Sequence, residues 1–92
     1  MGQMEQLHAI VHGRVQGVSF RYYTVLKAVD LNLKGWVRNL PDGTVEVLAE
    51  GAHEPLGQLL DFLHRGPSGA SVESVDVQWG AATGDLVDFI VR

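Results

Sequence analysis

Leu33-Lys34-Gly35-Trp36-Val37-Arg38-Asn39-Leu40-Pro41-Asp42-Gly43-Thr44-Val45-Glu46-Val47-Leu48-Ala49-Glu50 reads as two strands around one turn. Pro41 presets a turn φ, Asp42 can bond its own backbone, and Gly43 tolerates a positive φ, so Leu40–Gly43 predicts a hairpin. Thr44 to Glu50 alternates, with Val45, Val47 and Ala49 on one face. Leu33 to Asn39 supplies the partner strand.

Outward from this hairpin the chain is nearly symmetric. After it, Leu56, Leu59, Leu60 and Leu63 fall at i, i+3, i+4 and i+7, with Pro55 at the start of a helix and Gly66-Pro67-Ser68-Gly69 at its end. Val75, Val77 and Trp79 then alternate as a strand, and Val87, Phe89 and Val91 mark a last short one. Before the hairpin, Phe20, Thr24, Ala28 and Leu31 form a helical stripe, widened by Tyr23, Val25 and Val29. Ser19 is placed to cap this helix, and Asn32 to close it in the left-handed conformation. Residues 6–12 alternate, Leu7, Ala9 and Val11 facing one way and His8, Ile10 and His12 the other.

The order is β-α-β-β-α-β with a short extra C-terminal strand. Two split βαβ units with right-handed crossovers predict an α+β, ferredoxin-like α/β sandwich: an antiparallel sheet with two helices on one face. Residues 1–92 form a single domain in this reading.

Composition narrows the function classes. The chain has no cysteine, which removes disulfides, thiolate metal sites and cysteine nucleophiles. The segment Met1-Gly2-Gln3-Met4-Glu5-Gln6 lacks a basic region followed by an apolar run, and Gln6 fails the hydroxyl position of a myristoylation motif. No stretch approaches membrane-spanning length. A cytoplasmic protein without membrane contact is expected. The formal charge of −4 argues against nucleic acid as a partner, but leaves room for a small phosphorylated ligand at a local cluster of Arg14, Arg21 and Arg38.

The chemistry concentrates in Val11-His12-Gly13-Arg14-Val15-Gln16-Gly17-Val18-Ser19-Phe20-Arg21. Here a strand passes through a glycine-bracketed turn into a helix. Gly13 and Gly17 allow a backbone that gathers N–H groups on one concave face. The helix adds its unpaired first-turn N–H groups and positive dipole end. Arg21 adds a planar fork of charged donors matched to phosphate. The second informative residue is Asn39, where a strand enters its hairpin; taken alone it reads as a turn asparagine bonding its own backbone.

Together the two segments resemble the acylphosphatase family. Gly13 to Arg21 matches its Gly-x-Val-Gln-Gly-Val-x-Phe-Arg pattern, and Gly35 to Gly51 matches Gly-aromatic-Val-x-Asn followed by Gly-x-Val and a later Gly. The likeness extends through the helix after Arg21, Gly66-Pro67 and Phe89-Ile90. One departure is Asn32, where relatives usually carry Gly; both residues end a helix in the same way.

The resemblance implies hydrolysis of acyl phosphates to carboxylate and inorganic phosphate. It assigns Arg21 to phosphate binding and Asn39 to positioning the attacking water, with the loop Arg14, Val15, Gln16, Gly17 and Val18 wrapping the phosphate by its N–H groups and Gly13 as the structural loop glycine. A carboxylate leaves with a pKa near ~4, so no general acid is needed. Phosphoryl transfer passes through a loose transition state and asks mainly for positioning and charge stabilisation. Asn39 is no base, but its carbonyl oxygen can accept from water and hold it in line. No metal or cofactor is implied, and the substrate is a small molecule. The expectation is a stand-alone, monomeric enzyme.

Other residues have plainer readings. Four residues of strand separate His8 from His12 by roughly 13 Å, too far for one ion. His53 and His64 sit at opposite ends of a helix, and Asp76, Asp85 and Asp88 are scattered. Ser19 lacks the closing glycine of a hydrolase nucleophile elbow. Trp36 and Trp79 read as core or sheet-face residues, and Arg38 points away from Asn39. Arg14 and His12 border the loop and are candidates to contact or tune it. Two competing functions remain. A phosphate-binding module would need the loop and Arg21 but not Asn39; such domains also occur within larger hydrogenase-maturation proteins. An RNA-binding sandwich would carry stacking aromatics on its central strands, whereas residues 44–50 are acidic and have none.

Overall fold

The computed structural model describes residues 3–92. Met1 and Gly2, part of the segment read for a leader, lie outside the described residues. The elements are β1 (Glu5–Arg14), α1 (Phe20–Asp30), β2 (Lys34–Asn39), β3 (Val45–Gly51), α2 (His53–Arg65), β4 (Ser71–Ala81) and β5 (Phe89–Val91). They form one sheet of order β4-β1-β3-β2-β5. The first four strands pair antiparallel, as the sandwich requires. β5 instead runs parallel to β2, Gly35 opposite Phe89 and Val37 opposite Val91, so the complete sheet is mixed. Two long-range backbone bonds extend that edge, from Gly35 N–H to Asp88 carbonyl (2.8 Å) and from Arg92 N–H to Val37 carbonyl (2.9 Å).

Alternation decides the faces. Leu7, Ala9, Val11, Val37, Val45, Val47 and Ala49 are fully buried under the helices. The opposite face is polar: His8 lies 2.7 Å from Glu46, which also accepts from Arg38 Nε at 2.6 Å. Arg38 and Arg92 flank the Trp36 ring at 5.0 and 4.9 Å from its centroid. Burial works to raise the Glu46 pKa, but the hydrogen bonds from His8 and Arg38 outweigh it and hold the carboxyl below its usual range.

α2 buries Leu56, Leu59 and Leu63 completely. Truncating any one of them to alanine is expected to cost about 2–5 kcal/mol. α2 begins at His53, two residues before Pro55, which therefore sits in the first turn where its missing N–H is harmless. α1 is narrower than its composition suggests. Phe20, Thr24 and Ala28 are buried, but Tyr23 and Val29 are exposed rather than widening the stripe. At 3.6 residues per turn Val29 lies about 140° from the centre of that stripe. Tyr23 is about 100° away and meets Tyr22 edge-on, with ring centroids 5.2 Å apart. Asn32 does adopt the left-handed conformation, at φ 58°.

Candidate active site

Three pieces converge at the C-terminal ends of β1 and β2. The first is the loop 15–19. A bulge between His12 and Gly13 shifts the β1–β4 register so that Gly13 pairs with Val72. At Gly13 (φ 126°) a Cβ would overlap the Ser71 carbonyl, so only glycine lets β4 approach this closely. Gly17 (φ 73°) and Ser19 (φ 63°) both take the left-handed conformation that folds the loop back onto α1.

The second piece is the start of α1. Ser19 occupies the N-cap position, but its left-handed backbone gives no side-chain cap bond. Tyr23 N–H donates to the Ser19 carbonyl at 3.1 Å. The N–H groups of Phe20, Arg21 and Tyr22 precede that bond and have no acceptor within the helix. No acidic residue lies in this first turn, so the positive helix end is uncompensated.

The third piece is the β2–β3 hairpin. Leu40 N–H donates to Thr44 carbonyl (2.9 Å) and Gly43 N–H to Leu40 carbonyl (3.1 Å). The Asp42 carboxylate accepts from Thr44 Oγ1 (2.6 Å) and Thr44 N–H (3.0 Å). Those two bonds hold the Asp42 carboxyl below its usual range. Gln16 joins loop to hairpin: its Nε2 donates to the carbonyls of Leu40 (2.8 Å) and Thr44 (2.9 Å).

Between these pieces opens a cleft of about 520 Å³ lined by Val15, Gly17, Ser19, Phe20, Arg21, Tyr22, Val25, Asn39 and Val91. Arg21 is the one charged residue in this lining, and it has no carboxylate partner among the described residues. The Asn39 Oδ1 is the one buried side-chain nitrogen or oxygen among the described residues that lacks a hydrogen-bond partner. The arrangement combines a cationic fork, unpaired N–H donors and the Asn39 side-chain amide in one concavity, which suits an anion and a small polar molecule bound side by side.

Of the residues singled out in the sequence, Arg21, Asn39, Val15 and Gly17 meet in the cleft. Arg14 is exposed at the end of β1, paired with Ser71, and like Gln16 and Val18 is not in the lining. The Gln16 side chain is a strut. His12 engages Asp76 on the open face at 2.8 Å, away from the lining. Tyr22, Val25 and Val91 line the cleft without having been singled out as site residues. Tyr22 adjoins Arg21 in the first helical turn, a signal open to a closer reading; Val91 enters only through the parallel pairing of β5.

A family model described as acylphosphatase matches residues 7–91. The chain belongs to the acylphosphatase family. The chain is 49% identical over 88 residues to an acylphosphatase of Methylococcus capsulatus, covering 96% of each chain. It is 52% identical over 81 residues to one of Thermus thermophilus, covering 88% of this chain and 92% of that one. Its fold superimposes on the crystal structure of acylphosphatase from Bacillus subtilis with a TM-score of 0.92 at 35% identity, covering 96% of this chain and 98% of that one.

Proposed function

We propose that this enzyme hydrolyses acyl phosphates by direct attack of a water held by Asn39, with the phosphate seated against Arg21, the loop around Gly17 and the first turn of α1. The observation that carries the reading is that Asn39 and Arg21, which has no carboxylate partner among the described residues, line one cleft with Gly17. No protein group donates to the Asn39 Oδ1, so a rotation of the amide presents it to a water without breaking a protein hydrogen bond. The water donates one hydrogen to Oδ1, its oxygen attacks phosphorus, and the P–O bond to the acyl group breaks in line. The carboxylate leaves unassisted, since its pKa is near ~4. Asn39 takes no proton; the water's proton passes to a phosphate oxygen of the substrate. Arg21 and the N–H donors stabilise the equatorial oxygens of a loose transition state.

In this reading no metal or cofactor takes part, and the protein works as a cytoplasmic monomer. No helix among the described residues is long and apolar enough to cross a membrane. The charge of −4 and the carboxylates Glu46 and Glu50 of central strand β3 favour a small-molecule partner over nucleic acid.

The test is turnover of benzoyl phosphate, with chelator present, by the wild type, Arg21→Ala and Asn39→Ala. Loss of a preorganised donor typically lowers kcat by about 10²–10³, and Arg21→Ala is expected to lose at least that much. Asn39→Ala is expected to lose turnover while keeping inhibition by inorganic phosphate. A folded wild type that binds phosphate but leaves benzoyl phosphate intact would sink the reading and leave a binding module.

A further inference from the structure

We infer that the same cleft contains an acyl-group subsite, formed by Tyr22, Val25 and Val91, that selects apolar, uncharged acyl groups over acetyl and over acyl groups bearing a second anion. The inference rests on the hydrolase reading and adds a substrate class to it. The cleft lining extends past Arg21 and Asn39, the residues that address the phosphate and the water, to Tyr22, Val25 and Val91, leaving room beyond the phosphate.

The surplus lies on one side. Val25 is four residues beyond Arg21, about 6 Å further along the axis of α1. Val91 pairs with Val37, which is two residues back from Asn39 along β2, about 6–7 Å. As the crossover helix, α1 runs opposite to β2, so both displacements lead away from the loop in the same direction. An acyl group pointing away from a phosphate at Arg21 therefore runs between α1 and β5. Its walls are Tyr22, 59% exposed, Val91, 48% exposed, and the partly buried Val25. Exposed apolar side chains that line a cleft next to a polar anchor are the usual composition of a ligand pocket. The lining holds no second cation, so an additional carboxylate or phosphate on the acyl group has no partner.

The experiment compares kcat/KM for benzoyl, acetyl and succinyl phosphates in the wild type, Tyr22→Ala, Tyr22→Phe and Val91→Ser. Binding of phenylphosphonate and methylphosphonate is measured by calorimetry alongside. Comparing each between-substrate ratio across variants cancels the intrinsic reactivity of each anhydride. Relative to the uncatalysed hydrolysis rates, the wild type is expected to favour benzoyl most and succinyl least. The benzoyl-to-acetyl ratio should fall about tenfold in Tyr22→Ala and in Val91→Ser, and stay at the wild-type level in Tyr22→Phe. The preference for phenylphosphonate should fall in parallel. Wild-type ratios equal to those of the uncatalysed reactions, or ratios unmoved by both truncations, would overturn the subsite while leaving hydrolysis intact. Absence of turnover with a persisting phenylphosphonate preference would instead remove the hydrolase reading and keep an apolar-anion site.

Discussion

Replacing Asn39 with leucine separates catalysis from stability, because the structure predicts opposite signs for the two. Leucine keeps most of the side-chain volume in the cleft lining and deletes Oδ1, the buried acceptor without a partner. Removing an unsatisfied buried acceptor returns about 1–3 kcal/mol. For a domain of this size each kcal/mol moves Tm by about 4–8 °C, so calorimetry should find the variant unfolding higher by at least a few degrees. In the proposed mechanism the same deletion removes the contact that aligns water. A loss of about 10²–10³ in kcat corresponds to ~2.7–4.1 kcal/mol of transition-state stabilisation. The inhibition constant for inorganic phosphate should stay within about twofold, since Arg21 and the loop donors are untouched. A variant that loses both stability and turnover would refute the reasoning, for Asn39 would then be a structural residue whose removal damages the site indirectly.

Gln16→Ala removes both donors that tie the loop to Leu40 and Thr44; stability should fall by about 1–2 kcal/mol, and kcat/KM with it, measured by urea unfolding and steady-state kinetics. Gly13→Ala should cost more stability than Gly17→Ala, because a Cβ at Gly13 overlaps β4 backbone while at Gly17 it meets nothing within 4 Å. The left-handed backbone at Gly17 alone costs about 1–2 kcal/mol, and a thermal melt of the pair gives the order. Glu50 is buried, and although burial works to raise its pKa, hydrogen bonds from Thr83 N–H, the Gln6 side chain and Gly84 N–H outweigh it and hold the carboxyl low. A folded pKa below the unfolded one contributes stability that is present above the unfolded value and lost as pH falls through the folded value. Glu50→Gln should therefore lower stability by about 1–3 kcal/mol at neutral pH and flatten its fall below pH ~4.

Much of this molecule is legible in its sequence because local chemistry and tertiary packing agree. Pro41-Asp42-Gly43 makes its hairpin through Asp42 and Thr44, neighbours in the chain. Three of the four leucines in the α2 stripe, Leu56, Leu59 and Leu63, are fully buried, and Leu60 packs partly buried against the same core. What the sequence hides depends on distant partners. The three residues of β5 choose a parallel edge because Gly35 and Val37 of β2 offer it backbone groups. Ser19 looks like an ordinary cap, yet the loop from β1 forces it left-handed. Tyr23 and Val29 look like core until the buried arc of α1 is known to be narrow. In the cleft, Arg21 and Asn39 are visible as motif residues, whereas the strut made by Gln16 and the wall made by Val91 require the hairpin and the sheet edge in place.

Hydrolysis of benzoyl phosphate in water enriched in oxygen-18 tests the central claim most directly. Water aligned by Asn39 against phosphorus places the label in inorganic phosphate, one atom per turnover, and leaves benzoate unlabelled. Label in benzoate would mean attack at the carbonyl carbon, and the cleft would then be oriented around the wrong bond.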